Sequence, residues 1–192
     1  TYELTTCGVA EDGNVSGDLD HTDTAQLTIF GNGSTIAQTC AGERVLSHLD
    51  AGSAVVVDDA TITGGNVTGF DSDLDGNSTG GGGGVLSLGR GIFDTVVVTG
   101  NSSEDLGGGV RTLGQATFVD STVDTNTGGG AAVGRDNDPS AVPSLINVTN
   151  TTFDGNVGDG LSFFSGSGSI TLASASGNTG DGMRTAFGSA TI

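Results

Sequence analysis

Aspartates are the residues of this chain best suited to bind a metal ion, and three of them alternate in one short segment. Asp71, Asp73 and Asp75 occupy alternate positions, and a glycine and Asn77 follow them. This spacing matches the start of a calcium-binding loop, because alternate oxygen ligands converge on one hard cation while glycine permits a sharp turn. The glutamate expected at the twelfth position is replaced by Gly82. The segment predicts a Ca²⁺ site formed by the three aspartates and the Asn77 carbonyl; the alternative is an acidic, solvated loop.

The other titratable residues form no recognisable catalytic motif. His21 and His48 have no cysteine or glutamate at metal-ligand spacing, which favours exposed or structural roles. Glycoside hydrolysis needs two carboxylates about 5–9.5 Å apart. With nineteen aspartates and four glutamates in the chain, no particular pair is distinguished. The residues alone therefore assign no enzymatic reaction.

Two cysteines, Cys7 and Cys40, lie near the N-terminus. In an exported protein such a pair forms a disulfide, which contributes roughly 3–4 kcal/mol of stability for a loop of this length. The alternative is two buried free thiols. We predict the disulfide.

Several asparagines stand in the sequence Asn-x-Ser/Thr, the acceptor for N-linked glycans on exported chains. Some of these sequons arise by chance in a chain rich in asparagine and threonine. Asn66 and Asn101 also belong to the repeat described below, which would hide their side chains. The candidate glycosylation sites are Asn14, Asn32, Asn77, Asn147 and Asn150.

The net charge of −18, with no lysine and five arginines, limits the partners of this protein. Nucleic acids and anionic lipid surfaces require a basic surface, so neither is expected to bind. The charge favours cations, polycationic partners or a saline habitat; the alternative is an ordinary acidic secreted surface. The chain has no stretch of 18 apolar residues, so we do not expect it to span a membrane.

A repeat between Phe93 and Gly130 predicts the elements that position these residues. Phe93 and Phe118 are each followed by a valine, an asparagine and a glycine triplet at matching distances. Aligned along the chain, the repeat places apolar residues in three inward-facing columns. These are Val57, Phe93, Phe118, Val148 and Ile170; then Ile62, Val98, Val123, Phe153 and Ala175; then Val85, Val110, Ala131, Leu161 and Met183. Short strands separated by turns and stacked one above the other account for this pattern.

An asparagine follows the turn glycine or threonine in each unit, although the first unit has one extra glycine before it. Asparagine tolerates the left-handed backbone of a sharp turn, and stacked amides can bond from one turn to the next. The alternative is that asparagine only marks the turn. The repeat predicts an amide ladder of Asn66, Asn101, Asn126, Asn156 and Asn178.

The two parts of the chain differ in regularity. Residues 1–50 contain short extended stretches broken by glycine and aspartate, whereas residues 51–192 follow the repeat. No run of ten residues has a helical face. We expect an all-β, elongated single domain with irregular N-terminal turns, which carry the disulfide, followed by regular ones.

The repeat resembles the right-handed parallel β-helix of the pectin-lyase-like superfamily. It is most similar to bacterial exported β-helix proteins with a CSLREA-type N-terminal region, through ATITGGN, GGGGVLSLG and FVDSTVDTNTGGG, and through YELT and LTIFGNGSTI nearer the N-terminus. The CSLREA segment itself is absent. The resemblance covers nearly the whole chain and implies a solenoid fold and a secreted or cell-surface location.

The main hypothesis is a non-catalytic extracellular or cell-surface structural protein. Open ends at Tyr2, Leu4 and Ile192 would leave strand edges that pair with another copy, giving head-to-tail filaments. An adhesin or stalk that binds glycans or surfaces is the first alternative. The resemblance also raises a polysaccharide lyase or glycoside hydrolase. Lyases of this fold use a basic residue, and Arg111 and Arg184 are the candidates that follow the same position of the repeat.

Overall fold

The computed structural model describes residues 1–8, 14–68, 81–135, 144–186 and 189–191. Within these ranges the protein is all-β: it has nineteen strands, no helix, and only parallel strand pairs. The described residues accordingly include no helix with the length and apolarity needed to cross a bilayer.

The strands, numbered in chain order, form three parallel sheets. The largest sheet has ten strands: β1 (Tyr2–Leu4), β3 (Leu27–Gln38), β5 (Ala54–Thr63), β8 (Arg90–Asp94), β9 (Val97–Thr99), β12 (Gln115–Val119), β13 (Thr122–Asp124), β15 (Ser144–Thr149), β17 (Gly166–Thr171) and β19 (Ser189–Thr191). The second has seven: β2 (Leu19–His21), β4 (Leu46–His48), β7 (Val85–Ser87), β11 (Val110–Thr112), β14 (Ala131–Val133), β16 (Leu161–Phe164) and β18 (Met183–Ala186). The third pairs β6 (Asn66–Val67) with β10 (Ser102–Ser103).

The chain visits these sheets in a constant order. After β7 in the seven-stranded sheet come β8 and β9 in the ten-stranded sheet and then β10 in the small one; β11, β12 and β13 repeat the sequence. Each strand lies beside the equivalent strand of the neighbouring unit, as β7 does with β11 and β8 with β12. Equivalent residues of successive units therefore lie one strand spacing, about 4.8 Å, apart.

The hydrophobic core includes the three columns that the repeat predicts, with Ala175 and Met183 only partly buried, and further residues such as Val55, Ile146 and Phe163. The register pairs Phe93 with both Val57 and Phe118, and it pairs Val98 with both Ile62 and Val123. The rings of Phe93 and Phe118 stack at a centroid distance of 5.0 Å, and the Phe93 side chain is fully buried. Alternation along each strand turns these residues inward, so each unit buries its apolar stripe against the units on either side.

One corner of the ten-stranded sheet is built from left-handed residues that are not glycine. The column contains Asp59, Thr95, Asp120, Asn150 and Leu172, with φ between 47° and 56°. The residues that follow in the second to fourth units, Val96, Ser121 and Thr151, are buried. A residue in the left-handed conformation bends the backbone sharply, so one strand ends there. The residue that follows it then directs its side chain into the core.

The N-terminal strands continue the same sheets. β1 pairs with β3 and β3 with β5, while β2 pairs with β4 and β4 with β7. The register between β3 and β5 shifts between Phe30 and Ser34, where the chain carries extra residues.

Candidate functional site

A disulfide joins Cys7 to Cys40, with 5.4 Å between their Cα atoms. It lies beside β1 and β3, the outermost strand pair at one edge of the ten-stranded sheet, where Leu4 is aligned with Gln38. The Gln38 amide is buried and donates to the carbonyls of Gly17 and Arg44 at 3.0 and 2.8 Å. The disulfide thus anchors β1, which has a strand partner on one side only among the described residues.

An amide ladder runs through the turns of the repeat. The Oδ1 of Asn126 accepts hydrogen bonds from the backbone N–H and the Nδ2 of Asn101, at 3.0 and 3.2 Å. Its Nδ2 donates to the carbonyl of Val98 at 3.0 Å and to Oδ1 of Asn156 at 3.1 Å. Asn156 bonds to Asn178 in the same way. Asn126 and Asn156 are wholly buried, so their amides have no contact with water. The ladder bonds therefore supply the hydrogen-bond partners that water provides in the unfolded chain.

Asn66 does not belong to this ladder, contrary to the prediction. The register aligns Asn66 with Ser102, one residue beyond the ladder position, and its side chain is exposed. Gly65 occupies the ladder position instead, and its backbone N–H donates to Oδ1 of Asn101 at 3.0 Å. The extra glycine of the first unit shifts the asparagine out of the column, so the ladder contains Asn101, Asn126, Asn156 and Asn178.

The ladder requires the glycine that stands directly before the third apolar column of each unit. A Cβ on Gly109 would lie 2.6 Å from the Gly130 carbonyl oxygen and 2.9 Å from Nδ2 of Asn126. Gly84 and Gly160 meet equivalent atoms of their own neighbours at 3.0 Å or less. No side chain fits between the ladder and the next turn, so the asparagine and the glycine repeat together.

The predicted calcium ligands lie outside the described residues. Asp71, Asp73, Asp75 and Asn77 fall in 69–80. Within the described ranges no group of three or more His, Cys, Asp or Glu side chains could hold a metal ion. The calcium site stays a prediction.

Four of the five candidate glycosylation sites are described. The side chains of Asn14, Asn32 and Asn150 are exposed, Asn147 is half-buried, and Asn77 lies outside the described ranges. All three exposed amides already have partners, and that of Asn32 donates to the Phe30 carbonyl at 3.4 Å. The Asn14 Nδ2 donates to the Asp20 carbonyl, and the Asn150 Nδ2 donates to Oδ1 of Asp120, both at 2.6 Å.

The first of the predicted assembly ends is described and is largely apolar, although Glu3, Asn32 and Ser34 also line it. Tyr2 is 69% exposed, and a cavity of about 650 Å³ opens beside it between Leu4, Leu19 and Ile36. At the other end of the sheets Ala173, Ala175 and Met183 pack against the core and are only partly buried. Ile192, the other predicted end residue, lies outside the described ranges.

The arginines differ sharply in their surroundings. Arg111, a candidate base for the enzyme alternative, is 1% exposed, and its guanidinium lies 5.8 Å from the ring centre of Phe164. A polysaccharide on the surface does not reach a side chain at that depth. Arg184 is half exposed and forms an ion pair with Asp159 at 3.8 Å. Arg44 is 3% exposed.

Arg90 and Arg135 line a surface cleft of about 660 Å³ at the corner between the seven- and ten-stranded sheets. Gln26 and Gln115 line the same cleft. Arg90 is aligned with Gln115 on the neighbouring strand. Gly89 and Gly114 form part of its floor, and a Cβ on Gly114 would lie 2.4 Å from the Gly89 carbonyl oxygen. The main chain of neighbouring turns is therefore closely packed at these two lining residues.

A buried histidine, His48, is hydrogen-bonded to a residue that lines the cleft. The ring nitrogens of His48 are hydrogen-bonded to the hydroxyls of Ser87 and Ser53, both at 2.8 Å, and Ser53 lines the cleft. The ring stacks on His21 at a centroid distance of 5.3 Å. Burial lowers the pKa of His48, the charge of His21 lowers it further, and Asp50 opposes the shift. His48 is thus held in its neutral form as a structural hydrogen-bonding group.

Sequence reasoning missed this cleft, although a signal was present. Arg90 and Gln115 each follow a Leu-Gly pair at the same distance after the apolar residue of the seven-stranded sheet, and Arg135 follows a glycine near the equivalent point of the next unit. Aligning the polar residues of the repeat, as was done for the apolar ones, would have placed the three on adjacent turns.

No family model matches this chain, and neither the curated proteins nor the solved structures contain a match.

Proposed function

We propose that this chain is a right-handed parallel β-helix and serves as a non-catalytic structural protein outside the cell. The observation that carries the proposal is the continuous register of equivalent residues. The core column from Val57 to Ile170 and the ladder from Asn101 to Asn178 both pass through successive units. Such a stack is rigid along its axis because each turn is bonded to two neighbours.

The extracellular setting is supported by the disulfide and by the surface charge. Disulfides persist in oxidising compartments and are rare in the cytosol. The net charge of −18 keeps such a surface hydrated and makes it repel other acidic surfaces.

The outermost strands of the two larger sheets favour a structural role in which copies of the chain stack head to tail. Among the described residues, β1 and β19 are the outermost strands of the ten-stranded sheet, and β2 and β18 those of the seven-stranded one. All pairs are parallel, so the edge of one end matches the edge of the other. A second copy would pair both edges and cover the apolar cavity beside Leu4 and Leu19.

Negative-stain electron microscopy and sedimentation velocity of the purified chain test this stacking. We expect rods whose length grows with protein concentration. Leu4→Asp places a charge in the proposed joint and is expected to shorten the particles to single copies. Leu145→Asp is the matched control, because Leu145 is 37% exposed on the side of the same sheet.

Particles of one copy at every concentration, or equal shortening by both substitutions, would contradict head-to-tail stacking. In the first case the protein remains a candidate scaffold that acts alone.

A further inference from the structure

An exposed Asn-Gly pair stands in an irregular part of β3, the longest strand. Of the eleven asparagines in the chain, Asn32 alone is followed directly by glycine. The register between β3 and β5 shifts between Phe30 and Ser34, so Asn32 and Gly33 have no aligned partner on β5. The Asn32 side chain is exposed. The pair therefore projects into solvent and is not held in the ladder between these two strands.

This pair has the groups needed for an intramolecular reaction. The backbone nitrogen of Gly33 attacks the side-chain carbonyl carbon, Cγ, of Asn32. A bond forms between that nitrogen and Cγ, the bond from Cγ to Nδ2 breaks, and Nδ2 leaves as ammonia with the proton of the Gly33 N–H. Water then opens the cyclic succinimide at either of its carbonyls, which yields aspartate or isoaspartate. Glycine favours ring closure because it has no side chain beside the attacking nitrogen.

The surroundings of Gly33 leave room for the ring. A Cβ built on Gly33 would have no heavy atom of a non-neighbouring residue within 4 Å. At Gly31, by contrast, an added Cβ would collide with the carbonyl oxygen of Asp59. A succinimide that joins Asn32 to Gly33 can therefore project into solvent without displacing a neighbouring turn.

Two other asparagines share the backbone conformation of Asn32 but hold their amides more firmly. Asn14, Asn32 and Asn150 are exposed and have φ of 55°, 49° and 47°. The Nδ2 of Asn14 donates to the Asp20 carbonyl and that of Asn150 donates to Oδ1 of Asp120, both at 2.6 Å. Oδ1 of Asn14 also accepts from the Asp20 N–H at 2.7 Å. The Asn32 amide has one long bond, at 3.4 Å, to a carbonyl of its own strand, so it is the least restrained of the three.

We propose that Asn32 is a site of spontaneous modification, at which Gly33 converts the amide into a carboxylate through a succinimide. A glycan on the same asparagine would occupy Nδ2 and prevent the reaction. Asn32 also lines the cavity beside Leu4 and Leu19. The consequence for assembly rests on the proposed stacking: the new carboxylate would lie in the joint between two copies, so modified chains are expected to stack less well.

Peptide mapping by mass spectrometry, after incubation of the purified chain in mildly alkaline buffer, tests the site. We expect isoaspartate to accumulate at Asn32 and not at Asn66, which is exposed but is followed by valine. Gly33→Ala is expected to slow the reaction at least about tenfold, because a side chain hinders the approach of the nitrogen to Cγ. Val15→Gly creates a second Asn-Gly pair at Asn14, and Val15 is 77% exposed. We expect this pair to react about tenfold more slowly than Asn32, because two hydrogen bonds hold its amide.

The parent chain and the two variants each give a result that overturns part of the proposal. Absence of isoaspartate at Asn32, or equal rates at Asn32 and Asn66, excludes the site. An unchanged rate in Gly33→Ala excludes attack by the glycine nitrogen. Equal rates at the two Asn-Gly pairs of Val15→Gly exclude the effect of the held amide. Thermal melting of both variants verifies that the fold is intact, and the comparison of Asn32 with Asn66 in the parent chain depends on neither variant.

Asn32→Asp tests the consequence for assembly in sedimentation velocity. We expect it to shorten the rods formed by the parent chain. Asn66→Asp is the matched control, because it adds the same charge away from the outermost strands, and it is expected to leave the rods unchanged. Equal shortening by both would overturn the effect of position. If the parent chain forms no rods, head-to-tail stacking fails, while the mass spectra still decide whether Asn32 is modified.

Discussion

A single asparagine of the ladder is expected to contribute several hydrogen bonds' worth of free energy to folding. Asn126 has no exposed surface, and its amide forms four hydrogen bonds, three of them to Asn101 and Asn156 of the ladder and one to the Val98 carbonyl. Removing the amide leaves buried groups of Asn101 and Asn156 without these partners. A buried donor or acceptor that loses its partner costs about 1–3 kcal/mol.

We therefore expect Asn126→Ala to lower the free energy of unfolding by on the order of 3 kcal/mol. Asn66→Ala is the control, because Asn66 follows the same sequence pattern but lies outside the ladder with its side chain exposed; its effect is expected to stay within about 0.5 kcal/mol. Urea denaturation of both variants measures the difference. Similar losses in the two variants would contradict the ladder register.

At the scale of the element, the left-handed corner between β8 and β9 contains a residue that fits it poorly. Thr95 has a φ of 56°, and its side chain is exposed. A β-branched residue is strained in this region, whereas asparagine tolerates it. Asn150, two units further along the same column, shows what an asparagine gains, because its amide donates to Oδ1 of Asp120 in the preceding unit.

Thr95→Asn is expected to stabilise the protein by about 1 kcal/mol, since it relieves the backbone strain and places an amide beside Asp59. The measurement is the unfolding midpoint in urea. Thr117→Asn serves as the control, because Thr117 lies in the extended strand β12, where asparagine is unfavourable. No gain at Thr95, or an equal gain at Thr117, would contradict the strain.

The hydrogen bonds of His48 link β4 to β7 and to the turn at Ser53, and they make this part of the fold sensitive to acid. Because burial lowers the pKa of His48 in the folded state, the unfolded chain binds the proton first as the pH falls below about 6.5. The contribution to stability is complete above that pH and declines through the pKa of the folded state.

We expect the free energy of unfolding of the parent chain, compared with that of His48→Gln, to fall as the pH is lowered from 7.5 to 5.5. The comparison with the variant removes the opposite trend that arises as carboxylates become neutral and repel less. Urea titrations at several pH values measure both slopes. Parallel curves for the two proteins would show that His48 does not contribute.

At the scale of the whole molecule, the net charge opposes every association with an acidic partner, including a second copy. The stacking proposed above is therefore expected to give longer particles at about 1 M salt, where the screening length is near 3 Å, than at low salt.

Much of the fold followed from the sequence because the repeat is local. Each unit has its apolar residues and its asparagine at nearly constant spacing, so alignment alone placed Phe93, Phe118 and Val148 in one column, and the register agrees. The alignment failed at Asn66, where one inserted glycine shifts the turn by a residue. Residue spacing alone does not reveal a shift of one residue, since either Gly65 or Asn66 could occupy the turn position.

The sequence by itself determined the all-β class, the inward columns and the cysteine pair, because these depend on periodicity and on residue type. Only the tertiary structure decided which polar residues meet. Arg90 and Arg135 are 45 positions apart in the chain, and two strand spacings bring them to one cleft. The sequence around Arg111 does not distinguish it from the exposed arginines, yet it is buried against Phe164. Exposure and convergence depend on how neighbouring turns and loops cover a position, and one-dimensional spacing does not contain that information.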